Sequence, residues 1–301
     1  MAGQTISWST GCVKVTRNKP VTLRNGVLQI RPQEACPEDA PRWQKRAAAL
    51  QRIRQGMPVG IVCEDSCPGL TLENVTIRGF FHGVEVRGRV AMRDCVCERG
   101  GAGVMVQGPS AHATLTRCRV ARNERDAVTC RAGATACVDD CDIRDNHGAG
   151  VLCWGADSDV TCRGTRIAGH ALAGACASLE GHMRLEGCVL VGNGSSGVYC
   201  SDAGSLVHVL ASCTFGWHPG PCMHAYGGGV VWVRGSEGGS LRSLTQALEE
   251  LEGLDGPREG ECRPVGRSGG NSHHWIASTA GPKCAAELGG VVRWDRDLEL
   301  V

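Results

Sequence analysis

Apolar residues recur along the chain in two patterns that keep a fixed phase. A glycine or alanine followed by a small apolar residue stands at Gly60-Ile61, Gly83-Val84, Gly103-Val104, Ala127-Val128, Gly150-Val151, Gly174-Ala175 and Gly197-Val198. The steps between them are 23, 20, 24, 23, 24 and 23 residues. Two positions beyond each apolar residue comes Cys63, Val86, Val106, Cys130, Cys153, Ala177 or Cys200. The second pattern is "LENVTI" from Leu72, "MRDCVC" from Met92, "LTRCRV" from Leu115 and "VDDCDI" from Val138. It continues as "CRGTRI" from Cys162, "LEGCVL" from Leu185 and "LASCTF" from Leu210.

Alternation with period two predicts short strands in each repeat. Val151 and Cys153 share one side of a strand, with Leu152 and Trp154 on the other. Cys141 and Ile143 point inward, Asp142 and Arg144 outward. Val138 lies three residues before Cys141, so the alternation breaks and Asp139-Asp140 must form a corner. A second corner is expected where Asn123, Asn146, His170, Asn193 and His218 recur, since a short amide tolerates left-handed geometry and bonds to backbone. Three strands in roughly 23 residues make one coil of a solenoid, with equivalent slots stacked about 4.8 Å apart. No coil can bury its own interior, so stability comes from its neighbours and the ends need caps.

These repeats resemble the parallel β-helix repeat family of the pectin-lyase-like superfamily. The resemblance covers roughly residues 58 to 233. It implies an all-β, right-handed, three-sided parallel β-helix of about seven to eight coils with short helical or irregular caps. Residues 1–57 are expected to form an N-terminal cap, with strands in "KPVTLRNGVLQI" and a helix in "EDAPRWQKRAAALQRIRQG". Residues 58–233 carry the repeats, and "YGGGVVWVRG" reads as an irregular eighth coil. Residues 234–301 are expected to hold a helix, with Leu241, Leu244, Leu248 and Leu251 on one face, and an irregular tail.

Composition narrows function. Basic and acidic residues balance, 32 against 31, so there is no electrostatic reason to expect nucleic acid or an anionic membrane as partner. Neither a signal-peptide-like stretch nor a membrane-spanning run is visible, which predicts a cytoplasmic location, with cytoskeleton or cilium as variants. In such a compartment the 19 cysteines are expected to be thiols. Eleven of them fall on inward slots: Cys63, Cys95, Cys97, Cys118, Cys130, Cys141, Cys153, Cys162, Cys188, Cys200 and Cys213. There they read as small hydrophobes. No second Cys pair completes a tetrahedral metal site around Cys63/Cys67 or Cys137/Cys141.

The stretch "VDDCDIRDNHGAGVLC", Val138 to Cys153, resembles a reaction centre because it concentrates aspartates, a histidine and cysteines. Polygalacturonase-like members of the superfamily use a paired aspartate, a Gly-His-Gly stretch and a basic pair. Only "DD" and "NHG" echo these, and at 4% aromatics there is little to stack on sugar rings. Since the Asp139-Asp140 slot is filled elsewhere by Glu73-Asn74 or Glu186-Gly187, it reads as a corner. No catalytic, cofactor-binding or metal-ligating residue is assigned, and no cofactor is expected.

An outward row offers more. On the strands that begin at each Gly-Val, Met105, Leu152, Trp154, Cys176 and Tyr199 are expected to form an apolar strip on one face. Such strips mark binding surfaces, or the seat of the chain's own amphipathic helix from Leu241 to Leu251, and both readings are open along different parts of the strip. The first functional expectation is therefore a non-catalytic solenoid that docks other proteins as a structural or adaptor subunit of a larger assembly. The alternative is a polysaccharide-active enzyme of the pectate lyase, polygalacturonase or epimerase kind, or a carbohydrate-binding module.

Overall fold

A computed structural model describes residues 13–15, 20–29, 59–210, 212–234, 284–287 and 290–294. Every regular element among these residues is a β-strand, and every pairing is parallel. The two segments expected to be helical, 38–56 and 240–254, lie outside the described residues.

Three faces enclose the core. Face A stacks ten strands, from Val13–Val15 through Ile61–Cys63, His82–Val86, Ala102–Gln107, Val128–Arg131, Val151–Trp154, Ala175–Ser178, Val198–Ser201 and Met223–Tyr226 to Cys284–Glu287. The other two faces are one 16-stranded sheet, because Val21–Gln29 and Leu70–Arg78 run unbroken through the corner between them. Face B contains strands such as His112–Thr116, Thr135–Asp139 and Asp159–Arg163; face C contains Arg119–Ala121, Asp142–Arg144 and Arg166–Ala168. Ten rungs spaced about 4.8 Å make a rod on the order of 43 Å long.

Like stacks on like inside. Face A contributes Val104, Val128, Val151, Ala175 and Val198 in one inward row, and Val106, Cys130, Cys153, Ala177 and Cys200 in the next. Face C contributes Cys97, Val120, Ile143, Ile167 and Leu190. All are buried, and they belong to one continuous core. The eleven inward cysteines are buried free thiols.

Solenoid strands lie on both sides of residues 58–233, on the N-terminal side within "KPVTLRNGVLQI", where strands are expected. Val21–Gln29 pairs with Leu70–Arg78 over eight residues, opening the column. At the other end Cys284–Glu287 and Val291–Trp294 add a rung, so the expected irregular tail contains solenoid strands. Met223–Tyr226 and Val230–Arg234 are in ordinary register, not irregular. Leu210 is a further correction: Val209, not Leu210, stacks on Leu185, and the corner after it is one residue longer.

The corner between faces B and C is turned by one residue in left-handed geometry: Asn74, Asp94, Arg117, Asp140, Gly164 or Gly187. Asp140, at φ 52°, is thus a hinge of the chain. Directly inside this corner runs a ladder of Cys95, Cys118, Cys141, Thr165, Cys188 and Cys213. Cys141 donates to the carbonyls of Asp139 (3.2 Å) and Leu115 (3.6 Å), and its sulfur receives the Cys118 N–H at 3.3 Å. Thr165 does the same with a hydroxyl, donating to Val138 and accepting from the Cys141 N–H at 3.2 Å. These thiols are therefore more than hydrophobes: each satisfies backbone groups that the turn leaves unpaired.

The asparagine corner, between faces C and A, works differently from expectation. Left-handed geometry falls on the preceding residue, Arg122, Asp145, Gly169 or Gly192. The amides themselves point inward. Asn146 Oδ1 accepts the Asn123 N–H at 2.9 Å, and Asn146 Nδ2 donates to the Val120 carbonyl at 3.1 Å. His170 substitutes for an amide: Nδ1 accepts the Asn146 N–H at 3.3 Å while Nε2 donates to the Ile143 carbonyl at 3.2 Å. His218 Nδ1 accepts from Asn193 in the same way at 3.1 Å. Burial holds both imidazoles down at about 4, because a proton on Nδ1 would displace a backbone donor and leave a charge without water.

Candidate functional site

Face A carries two outward rows. The first reads Val62, Glu85, Met105, Thr129, Leu152, Cys176, Tyr199 and His224 in strict register. The second reads Gln107, Arg131, Trp154 and Ser178, with Arg87 at its near end. Their outward direction follows from period-two alternation against the buried valine and cysteine rows.

At the N-terminal end these rows are ionic. The Arg87 guanidinium reaches Glu85 Oε1 at 2.6 Å and Glu64 Oε2 at 3.1 Å, and Lys14 closes on Glu64 at 2.8 Å. Gln107 Nε2 donates to the same Glu85 oxygen at 3.0 Å, and Arg131 donates to Gln107 Oε1 at 2.6 Å. His82 Nδ1 lies 3.4 Å from Glu85 Oε2. That contact, helped by Arg87, holds the Glu85 carboxyl at about 2 although burial opposes it. The chain of contacts ends where the Arg131 guanidinium sits 5.9 Å from the Trp154 ring centre, a cation–π contact that fixes the indole on the face.

Beyond Trp154 the face becomes apolar and aromatic. Leu152, Trp154, Cys176 and Tyr199 are half-buried, and Tyr199 meets His224 edge-on at 5.3 Å. Burial pushes the Cys176 thiol up to about 12 and raises the Tyr199 hydroxyl as well. At neutral pH both are uncharged. The structure brings four of the five expected strip residues together: Leu152, Cys176 and Tyr199 stack directly, and Trp154 sits beside them. Met105 is in the same row but separated by Thr129, and it is buried at 4% exposure. It belongs to packing and not to an accessible surface. Sequence reasoning missed His224 and Tyr226, which lie one rung past Tyr199 and Ser201 in the two rows. The signal was the alternation in "MHAY", obscured by an irregular Cys222 in place of the repeat's glycine.

The remaining faces are more polar. Face C carries two Arg–acid–Arg triads. Glu98 lies between Arg78 (2.6 Å) and Arg119 (3.2 Å), and Asp142 lies between Arg144 (3.0 Å) and Arg166 (3.5 Å). Asp139 ends a face B strand and lies 3.4 Å from Arg163, as a corner residue would. Among the described residues no group of three or more His, Cys, Asp or Glu is placed to hold a metal ion.

A ten-rung parallel solenoid with one ionic-to-aromatic face defines the class of molecule. The family model "Right handed beta helix region" matches residues 59–215, more than half of the chain, and the protein belongs to that family. Among solved structures it is similar to pectate lyase Pel9A, with a TM-score of 0.52 and 10% identity over 77% of this chain and 64% of that one. At that identity the likeness is one of fold, and the chain spans less than two thirds of the lyase's length. Among curated proteins none matches the sequence.

Proposed function

We propose that the protein is a non-catalytic β-solenoid that binds other proteins through face A and serves as a structural or adaptor subunit. One observation carries the reading: from Leu152 to His224 the outward row of a parallel sheet is half-buried and holds no carboxylate, lysine or arginine, with Tyr199 and His224 in edge-on ring contact, where a solvated face would be charged and exposed. Patches of this composition favour protein partners, in which aromatic anchors dominate the energetics. The ionic network from Lys14 to Arg131 borders the patch on one side as a polar rim.

The test is a paired measurement. Proteins that co-purify with the full chain are compared between the parent and Leu152→Asp, with circular dichroism to check folding and polygalacturonate cleavage assayed in parallel. The reading predicts a defined partner lost from the folded variant, and no cleavage by either protein. Saturable, partner-free cleavage of the polymer would replace it with the enzymatic alternative.

A further inference from the structure

The coil that starts at Gly83 is the shortest of the seven repeats, and most of its missing residues come from one corner. Between faces A and B the preceding coil spends six residues, from Glu64 to Gly69, and the following coil four, from Gly108 to Ala111. Here Val86 ends one strand and Arg89 begins the next, leaving only Arg87 and Gly88. A short turn between two longer ones leaves a notch in the corner ridge. The notch is a cleft of about 520 Å³, within the size range of sites for small organic ligands.

Gly88 is its floor, and the close approach there is built in. A Cβ at Gly88 would lie 2.5 Å from the Glu64 carbonyl oxygen, so no larger residue fits. Asp65, from the longer turn before Gly88, and Pro109 and Ser110, from the longer turn after it, line the cleft together with Arg89 and His112 of face B. His112 is held in orientation from both ends of its ring: Nδ1 lies 2.7 Å from Thr135 Oγ1 and Nε2 3.2 Å from Thr114 Oγ1. Arg89 is exposed and forms no ion pair with Asp65 or any other described carboxylate. It contrasts with Arg87 two residues earlier, whose guanidinium is saturated by Glu85 and Glu64.

We propose that this notch is a binding site for a small oxyanion-bearing molecule. Its carboxylate or phosphate pairs with the Arg89 guanidinium, and its hydrogen-bond donors face Asp65 and the Ser110 hydroxyl. Arginine supplies the planar fork that such an anion needs, and Asp65 in the same lining disfavours a bare multivalent anion. The inference is independent of the role of face A.

Calorimetric titrations of the full chain with glycerate and, separately, with glycerol 3-phosphate, each an oxyanion that carries hydroxyl donors, test it. The expected result is saturable one-to-one binding of at least one probe, weakened about tenfold or more by Arg89→Gln and unchanged by Arg93→Gln, an exposed arginine outside the notch. Binding by glycerate alone assigns a carboxylate ligand, and by glycerol 3-phosphate alone a phosphoryl ligand. Ser110→Phe, which fills the notch without touching a charge, is expected to abolish binding while circular dichroism stays unchanged. Absence of saturable binding by either probe overturns the proposal, and so does equal weakening by Arg89→Gln and Arg93→Gln.

Discussion

Acidification offers a direct probe of the inner ladder. An unfolded histidine titrates near 6.5, whereas His170 and His218 are held down at about 4. Between those values the unfolded chain takes up a proton that the folded chain refuses, so stability falls as pH falls. The contribution is intact above 6.5, declines through the window from 6.5 to 4, and has no further to fall below it. From pH 7 to pH 5 each histidine costs about 2 kcal/mol, and the pair about 4 kcal/mol, a large part of a typical domain's stability. His170→Asn supplies the control, because Asn123, Asn146 and Asn193 already fill the same slot with equivalent bonds. Urea unfolding followed by tryptophan fluorescence at both pH values should show the variant losing about 2 kcal/mol less than the parent. Groups common to both proteins cancel in that difference. Equal losses would mean that His170 protonates within the fold, and the donor–acceptor assignment of the ladder would be wrong.

Three further outcomes follow from the same geometry. Thr165→Val removes the hydroxyl that serves Cys141 N–H and two carbonyls and should cost about 2 kcal/mol in urea unfolding, while Thr165→Cys should cost under about 1 kcal/mol. Gly150→Ala should destabilise by about 1–3 kcal/mol, because its Cβ would sit 2.5 Å from the Gly174 carbonyl oxygen and 2.7 Å from His170 Nε2. Glu85→Gln should remove a separate acid-sensitive step. With a folded value of about 2, Glu85 stabilises above 4.5 and loses that effect from 4.5 down to 2, so acid unfolding of the variant should be shallower below pH 4.5.

Much of the solenoid is legible because its cause is periodic. A two-residue alternation fixes which side chains point inward, and a 23-residue repeat fixes what lies above them. Cys118 and Cys141 could therefore be placed one over the other from sequence. The polar bonds of those thiols could not, because they depend on where the left-handed residue turns the backbone carbonyls. For the same reason the asparagine slot read as the hinge itself, when the hinge is one residue earlier at Arg122 or Asp145. Leu210 misled because apolar character alone does not reveal an extra corner residue. Of the candidate strip, Leu152, Trp154, Cys176 and Tyr199 follow from alternation, while the burial of Met105 does not, since alternation gives direction and says nothing of cover. The notch was present in the sequence as a step of 20 residues among steps of 23 and 24, but a step length does not say which corner is short.

Site-specific photo-crosslinking puts the functional claim to its most direct test. A photoreactive residue is placed at position 152 or 176 on face A, and at position 119 on face C, in the full chain, and each protein is irradiated with its native extract. Face A positions are predicted to capture the same defined partner, and position 119 not to capture it. Capture from position 119 with silence at 152 and 176 would contradict the account.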